Sequence, residues 1–335
     1  MTSPASPGDA LLARVFRDSV ARHMISDVPV GSCLSGGIDS SGIVCEMRLQ
    51  NRDGLIRTFS LEVPGTSFDE KKYQEIVATQ AKTEHHSTSI DAEKLLEDLP
   101  DLVRVQEEPF ENLSVYGQYL VMKMAHESGM KVLLDGQGAD ELLAGYHTFY
   151  GYDTFGKRWL FSRLPWFVRK MYKKPKWFRG EPRKMRAPRN LREALSLAFT
   201  AYSLPALLRF EDRNSMRWSI EARVPYLDRE FVGACNSLDE KSKLEGKATK
   251  KALRGALRGI VPDVILDRRD KIGFWTPDRQ LLERPEVRQF VAGIIESETF
   301  KRRPYWDATK VRLDAPDVWK LVLVELWLRE YIDAP

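Results

Sequence analysis

The heptad Ser35–Ser41, with the sequence SGGIDSS, has residue types suited to binding a phosphate. An apolar run that starts at Val28 precedes it and a helical pattern follows it, which predicts a buried strand, a turn and a helix. The two glycines let backbone N–H groups approach a ligand closely, and the start of the helix carries about half a positive charge. We therefore expect an anion here, with Ser35, Ser40 and Ser41 as hydroxyl donors.

Two common kinds of phosphate loop are excluded by their spacing. The sequence has no Gly-x-x-x-x-Gly-Lys-Ser/Thr and no Gly-x-Gly-x-x-Gly, since the nearest Gly-x-Gly (Gly136 and Gly138) has Glu141 at the third place. The heptad instead resembles the pyrophosphate loop of the ATP pyrophosphatases, which cleave ATP between its α and β phosphates. The alternative is a simple turn that ends a strand. Asp39 favours the loop, because a carboxylate beside a phosphate is repulsive unless Mg²⁺ lies between them.

A second glycine-rich segment, Asp135–Glu141 (DGQGADE), follows a short apolar strand pattern at Lys131–Leu134. Strand and helix patterns alternate over the first 150 residues, which predicts an α/β fold with a doubly wound parallel sheet. Such sheets bind ligands beyond the carboxyl ends of their strands, where both segments would meet. Asp39 and Asp140 are therefore predicted to hold a Mg²⁺ that bridges phosphate oxygens. From spacing alone, Asp140 and Glu141 could equally cap a helix.

The remaining elements are predicted from apolar periodicity. Further strands are expected at Arg57–Val63 and Glu84–Ile90, and helices at Asp9–Met24, Glu70–Ala81, Ala92–Val105 and Val115–Ser128. After residue 150 strand patterns nearly vanish, so residues 1–150 are predicted to form the nucleotide domain and residues 151–335 a mostly helical part that completes the site. Helices are expected there at Leu191–Phe210, Phe231–Asn236, Lys247–Ile260, Pro285–Ile295 and Val318–Tyr331.

Composition is that of an ordinary soluble protein, with 43% hydrophobic and 30% charged residues in a chain of 335. No apolar run reaches the ~18 residues of a membrane span, and the first residues lack the apolar centre of a signal peptide, so a cytoplasmic location is expected. Cys33, Cys45 and Cys235 are odd in number and lack a CxxC spacing. Neither disulfides nor a zinc site are therefore expected.

The segment Lys157–Arg192 is strongly basic, contains Glu181 as its sole acid, and is rich in tryptophan and phenylalanine. One interpretation is a solvated basic insertion. The other is a surface for an anionic partner, either a nucleic acid, a membrane surface or a phosphorylated substrate. The sequence contains no recognised nucleic-acid-binding motif that would favour a nucleic acid as the partner.

Six motifs taken together resemble the synthetase domain of the asparagine synthase family, which also includes β-lactam and carbapenam synthetases and lasso-peptide cyclases. They stand in the order of that family and cover most of the chain, from Asp9 to Pro277. The motifs are SGGIDSS, FSLEVPG, DGQGADELLAGY, DRNSM, SIEARVPYLD and RRDKIGF.

The resemblance implies roles for individual residues of this sequence. Cys33 and Leu61 would flank the adenosine of ATP through backbone contacts, Gly136 would approach the nucleotide, and Lys271 would be the catalytic lysine. The other matches are the pyrophosphate ligands Ser35, Gly36, Gly37 and Ser40, the metal ligands Asp39 and Asp140, and two retained family positions without a firm role, Glu221 and Arg223.

The resemblance also implies a reaction. The carboxylate of aspartate or a related acid would attack the α-phosphorus of ATP, pyrophosphate would leave into the loop, and ammonia would convert the acyl-adenylate into an amide. Glutamine-dependent members begin with a glutaminase domain whose nucleophilic cysteine follows the first methionine, whereas Thr2 follows Met1 here. We therefore expect a separate or removed glutaminase, or free ammonia, as the nitrogen source.

Gln137 is a departure from the family pattern and leaves the substrate open. Asparagine synthetases carry glutamate and β-lactam synthetases tyrosine at this place, which faces the activated carboxyl and the amine, so a neutral amide removes a charge and a possible proton acceptor. Bacterial members with DGQGADE often resemble amidating enzymes of surface-polysaccharide pathways. A sugar-linked uronic acid or a peptide carboxylate is thus an alternative substrate. A non-catalytic partner subunit, regulatory or structural, is an alternative of another class, and a homodimer is a separate expectation. Intact Asp39, Asp140 and Lys271 favour an enzyme.

Overall fold

Five strands form one sheet in the computed structural model, which describes residues 6–152, 177–180, 188–269 and 273–334. Their order in space is β3-β2-β1-β4-β5. The bounds are β1 Val30–Cys33, β2 Arg57–Glu62, β3 Glu84–Ser89, β4 Val132–Leu134 and β5 Glu221–Arg223. The predicted strands lie within one or two residues of these bounds, except for β5, which the sequence analysis missed.

Strand β1 lies at the centre of the sheet and pairs in parallel with both β2 and β4. Its residue Ser32 is opposite Thr58 of β2 and Leu134 of β4, and Leu134 is in turn opposite Arg223 of β5 in another parallel pair. Because these strands run in one direction, the loops that follow β1 and β4 leave the sheet at the same edge. The predicted parallel α/β sheet is confirmed.

Helices connect these strands and make up most of the remaining described chain. The first α-helices are α1 Pro7–His23, α2 Ile38–Gln50, α3 Lys71–Ala81, α4 Ala92–Gln106, α5 Ser114–Glu127 and α6 Ala139–Leu143. They are followed by α7 Leu191–Leu197, α8 Leu204–Arg217, α9 Arg229–Ser237, α10 Glu240–Lys243, α11 Lys251–Ala256, α12 Asp263–Leu266, α13 Asp278–Glu283, α14 Pro285–Glu296, α15 Glu298–Arg302 and α16 Val318–Tyr331. Among the described helices, none combines the length and the apolar character that crossing a membrane requires.

Two predicted helices differ from the observed elements. The helix expected at Leu191–Phe210 is interrupted by a π-helical turn, and α8 starts anew where Pro205 lacks the N–H that a continuous helix would need. The helix expected at Lys247–Ile260 is reduced to α11. A two-stranded hairpin with a left-handed turn at Gly246 (φ +61°) comes before it, formed by β6 Leu244–Glu245 and β7 Ala248–Thr249.

The described residues divide into two compact units, each assembled from three stretches of chain. The first unit uses residues 1–88, 120–157 and 187–274 and holds β1, β2, β4 and β5, whereas the second uses residues 89–119, 158–186 and 275–335. This division differs from the single boundary expected at residue 150, because β5 returns to the sheet late in the chain. Most of the basic segment at 157–192 lies outside the described residues.

Candidate functional site

The heptad Ser35–Ser41 forms the turn after β1 and the first residues of α2, which starts at Ile38, in the predicted order of strand, turn and helix. The backbone N–H of Ser35 donates to Ser40 Oγ over 3.0 Å, and the hydroxyl oxygens of the two serines are also 3.0 Å apart. The N–H of Gly37 donates to Ser35 Oγ over 3.3 Å. Gly37 is the N-cap of α2 and has no side chain with which to satisfy the first N–H groups of that helix. The turn is therefore a cluster of donors at a helix start, which suits an anion.

Two glycines allow close approaches of backbone in this region. A Cβ atom on Gly136 would lie 3.1 Å from Asp39 Cβ, so the second glycine loop packs directly on the first. A Cβ atom on Gly145 would lie 1.6 Å from Asp140 Oδ1 and 2.3 Å from Lys250 Cε. Larger residues at these two positions would push the acidic side chains away from their observed places.

Asp39 and Asp140 are brought together as predicted, and a lysine lies between them. Lys250 Nζ is 2.5 Å from Asp39 Oδ2 and 2.6 Å from Asp140 Oδ1, and the lysine side chain is only 3% exposed. Burial by itself would lower the pKa of Lys250, but the charges of Asp140 and Asp39 outweigh burial and raise the pKa above its usual value. The buried lysine and the two partly buried carboxylates, 16% and 17% exposed, thus form a cluster with one net negative charge.

Lys250 was missed by the sequence analysis. It precedes α11 with a left-handed backbone (φ +53°), which is rare for a residue other than glycine, and its N–H donates to the carbonyl of Leu143 over 3.1 Å. This residue thereby contacts α6, the helix that carries Asp140 in its first turn. In the sequence, Lys250 is one of three lysines in GKATKK, and no pattern separates it from Lys247 or Lys251.

The carboxylates of Asp39 and Asp140 fit a hard divalent cation. Asp39 Oδ1 is buried and has no hydrogen-bond partner among the described residues. The described residues include no group of three or more His, Cys, Asp or Glu side chains that could hold a metal alone. Oxygen atoms of a bound phosphate would have to complete the shell, as is usual for Mg²⁺ in phosphate sites.

Tyr226 ties the loop to the core of the first unit. Its hydroxyl donates to the backbone carbonyl of Asp39 over 3.0 Å, and its ring stacks on Phe16 with 4.8 Å between ring centres. Leu61, the expected adenosine contact, is a buried residue of β2 whose carbonyl accepts from Gln74 Nε2 over 3.1 Å. Cys33 is the last residue of β1. The expected adenosine neighbours thus lie in adjacent strands.

Two residues predicted to be catalytic, Glu221 and Arg223, are not joined to this cluster by the contacts of the described residues. Arg223 Nε donates to Glu221 Oε1 over 2.7 Å, and Arg223 Nη1 donates to the carbonyls of His23 and Ile25, also over 2.7 Å. These hydrogen bonds attach β5 to the end of α1 and to the residues after it, so Arg223 stabilises the fold. The catalytic role of Glu221 and Arg223 stays a prediction. Lys271 lies outside the described residues.

Glu211 and Asp135 form a second acidic pair that interacts with Gln137, and the sequence analysis missed Glu211. Glu211 of α8 is 2% exposed, so its carboxyl group is removed from water. Burial, with the nearby charge of Asp135, raises the pKa of Glu211 well above its usual value, and the amide of Gln137 opposes this rise. Burial also raises the pKa of Asp135 to about 6. Glu211 therefore holds a proton more tightly in the folded chain than in the unfolded chain.

This raised pKa predicts a pH-dependent stability. From a little above pH 4 the unfolded chain loses the Glu211 proton while the folded chain keeps it, so the free energy of unfolding falls as the pH rises. Glu211→Gln removes this contribution, and we expect its stability to fall less between pH 5 and pH 8 than that of the unchanged chain. Urea unfolding at both pH values measures the difference. Equal losses in the two proteins would show that Glu211 titrates normally.

The parallel sheet and its flanking helices define a class of fold, the α/β fold of the ATP-pyrophosphatase type. Comparison with known proteins agrees with this class. The sequence model of the family described as asparagine synthase matches residues 11–329. The chain belongs to the asparagine synthase family, which confirms the resemblance seen in its motifs.

Individual relatives show the same likeness. The chain is 30% identical to asparagine synthetase [glutamine-hydrolyzing] 1 of Bacillus subtilis, over 84% of this chain and 52% of the relative. It is 39% identical to the putative asparagine synthetase [glutamine-hydrolyzing] 2 of Methanocaldococcus jannaschii, over 47% of this chain and 29% of the relative. Asparagine synthetase B of Escherichia coli is 26% identical over 75% of this chain and 42% of its own length. The chain thus spans about half the length of the curated relatives it matches.

Proposed function

We propose that this chain is the synthetase part of an ATP-dependent ligase that activates a carboxylate as an acyl-adenylate and converts it into an amide with ammonia. The observation that carries this proposal is the cluster of Asp39, Lys250 and Asp140 beside the donor-rich turn at Ser35–Ser41. A chain without catalytic demand has no physical reason to bury a lysine between two partly buried carboxylates next to an anion-binding turn, because burying charges is costly. This argues against a non-catalytic partner subunit.

In the proposed reaction, the carboxylate oxygen attacks the α-phosphorus of ATP and the bond to the β-phosphate oxygen breaks. The pyrophosphate that leaves gains negative charge, which the N–H groups at the start of α2 and the hydroxyls of Ser35 and Ser40 are placed to stabilise. Ammonia then attacks the carbonyl carbon of the adenylate, AMP leaves, and one proton of the ammonia is released. Lys271 would add a further positive charge during the first step.

A bound Mg²⁺ fits this proposal. Asp39 and Asp140 would hold it together with phosphate oxygens, and the ion would neutralise charge on the phosphates during the transfer. Lys250 would then keep the two carboxylates in place in the absence of nucleotide. It reduces the repulsion between them, so that the site is formed before ATP arrives.

The identity of the carboxylate rests on the surroundings of Gln137. Its amide carries no charge, and burial raises the pKa of the neighbouring Glu211 well above its usual value, so this side of the site offers less negative charge than a free glutamate would. Aspartate or a related acid remains the first candidate, and a sugar-linked uronic acid or a peptide carboxylate is the second. A cytoplasmic location and a homodimer are further predictions from the sequence.

Exchange of labelled pyrophosphate into ATP tests the proposal, because it reports adenylate formation without requiring the amine. We expect exchange that depends on one carboxylate from a panel of aspartate, glucuronate derivatives and carboxyl-terminal peptides. The same carboxylate should yield amide and AMP when ammonium is added. If no member of the panel supports exchange, and ATP does not bind, the proposal is wrong.

Glutamine is expected to be inert with this chain alone. Its three cysteines are free thiols, and burial raises the pKa of both Cys45 and Cys235 to about 12, while burial and Asp135 raise the pKa of Cys33 well above its usual value. Since a thiolate is the nucleophile in glutamine hydrolysis, none of them is activated. Ammonium-dependent AMP formation should rise between pH 7 and 9 as more ammonia is unprotonated. Glutamate release from glutamine by this chain would contradict the prediction.

A further inference from the structure

Arg268 makes contacts that the proposed reaction does not yet use. Its Nη1 atom donates to the carbonyl oxygen of Gly36 over 3.1 Å and lies 2.7 Å from Glu70 Oε1. The guanidinium carbon lies 3.7 Å from the centre of the Tyr73 ring. The arginine side chain is 8% exposed. The position of this guanidinium is therefore fixed by three groups, which are a carboxylate, an aromatic ring and a carbonyl of the anion-binding turn.

The carbonyl that Arg268 binds belongs to the peptide unit that joins Gly36 to Gly37. A trans peptide is planar, so its oxygen and its N–H point in opposite directions, and fixing one fixes the other. The N–H of Gly37 accordingly faces the interior of the turn, where it donates to Ser35 Oγ. Glycine on both sides gives this peptide unusual rotational freedom, and Gly36 has a left-handed φ of +80°. A rotated peptide would present its oxygen to a bound phosphate and repel it.

We propose that Arg268 is a positioning residue for the pyrophosphate-binding turn, because it holds the Gly36–Gly37 peptide with its N–H towards the anion. This inference rests on the proposed function. Arg268 acts on the backbone and not as a phosphate ligand, since Glu70 already neutralises its charge and Tyr73 covers one face of the guanidinium. Glu70 and Tyr73 belong to the start of α3, so the turn is anchored to that helix through Arg268.

Binding of magnesium pyrophosphate to the whole chain, measured by titration calorimetry, tests the inference. Arg268→Ala should raise the Kd by about tenfold to a hundredfold, as for the loss of one hydrogen bond to a charged group. Arg258→Ala is the matched control, because Arg258 also pairs with acids, Asp263 and Asp267, in the same part of the chain. Its pairs are exposed, so the Kd should stay within about twofold of the unchanged chain.

Two further measurements separate positioning from charge and from folding. If Arg268 contacts the phosphate directly, the fold-change in Kd caused by its removal should become smaller at high salt, because salt screens charges. If Arg268 positions the backbone, the fold-change in Kd should be the same at low and high salt. Arg268→Lys retains one cationic donor that can reach either Gly36 or Glu70, and we expect an intermediate Kd with an unfolding temperature close to that of the unchanged chain. This variant carries the test if Arg268→Ala does not fold.

The outcomes distinguish this inference from the proposed function. If the unchanged chain does not bind pyrophosphate, the proposed function and the inference both fail. If it binds pyrophosphate and both Arg268 variants bind equally well, only the inference is overturned. A fold-change that disappears at high salt would also overturn it, since Arg268 would then be a direct ligand of the phosphate.

Discussion

Asp39→Asn is expected to abolish the exchange of pyrophosphate into ATP while the chain stays folded. The substitution keeps the shape of the side chain but removes the charge that pairs with Lys250 over 2.5 Å and that would hold Mg²⁺. Loss of one electrostatic stabiliser in an enclosed site reduces turnover by ~10² to 10³. Loss of a metal ligand adds to this, and we expect exchange below the limit of detection.

The stability of the Asp39 variant is a separate readout. Asp140 still pairs with Lys250 over 2.6 Å, so the lysine is not left alone, and we expect a loss of about 1–3 kcal/mol, as for one charged hydrogen bond. Asp263→Asn is a suitable control, since Asp263 also pairs with a cation, Arg258, but is exposed. The control should keep its exchange activity. Exchange near the normal rate in Asp39→Asn would remove Asp39 from the metal site.

The sheet and the anion-binding turn could be predicted because their signals are local. A short apolar run followed by Gly36 and Gly37 already specifies a buried strand and a tight turn before a helix. Two such segments on parallel strands must meet at one edge of the sheet, which is why Asp39 and Asp140 could be placed together without any structure. The structure brings both carboxylates to one lysine, as that reasoning requires.

Lys250 could not be predicted, because its role depends on contacts between distant parts of the chain. It reaches Asp39 across 211 positions of sequence, and its left-handed backbone is not encoded by a glycine or an asparagine. Strand β5 was missed for a different reason. It has only three residues, two of them charged, and three residues are too few to show the alternation of apolar and polar side chains that predicts a strand. Glu211 was missed because a buried acid looks like a surface acid in a helical sequence.

The motif residues Glu221 and Arg223 show how sequence and structure can point to different tasks. Sequence reasoning grouped them with the catalytic residues because they belong to a motif of the family. In the structure, Arg223 binds the carbonyls of His23 and Ile25 and thereby attaches β5 to α1. A motif can be retained because it supports the sheet that carries the site, and an arginine with several backbone acceptors is well suited to this.

Lys250→Met is expected to have the largest effect on stability together with a loss of activity. Methionine fills a similar volume but removes the cation that lies between the carboxylates of Asp39 and Asp140. Removing one partner of a buried ion pair costs about 3–5 kcal/mol, because the remaining charge is not compensated. Pyrophosphate exchange should fall with it. Lys251→Met is the matched control, since Lys251 is the next residue but forms an exposed pair with Glu245, and such pairs contribute about 0–1 kcal/mol.

The double variant Asp39→Asn with Lys250→Met decides whether repulsion is the cause. If two uncompensated carboxylates destabilise Lys250→Met, neutralising one of them should recover part of the lost free energy of unfolding, so that the double variant is more stable than Lys250→Met alone. Activity should not return, because both charged groups are gone. Chemical unfolding of the four proteins provides the thermodynamic cycle. A double variant that loses the sum of the two single effects would show that Asp39, Lys250 and Asp140 do not act as one cluster.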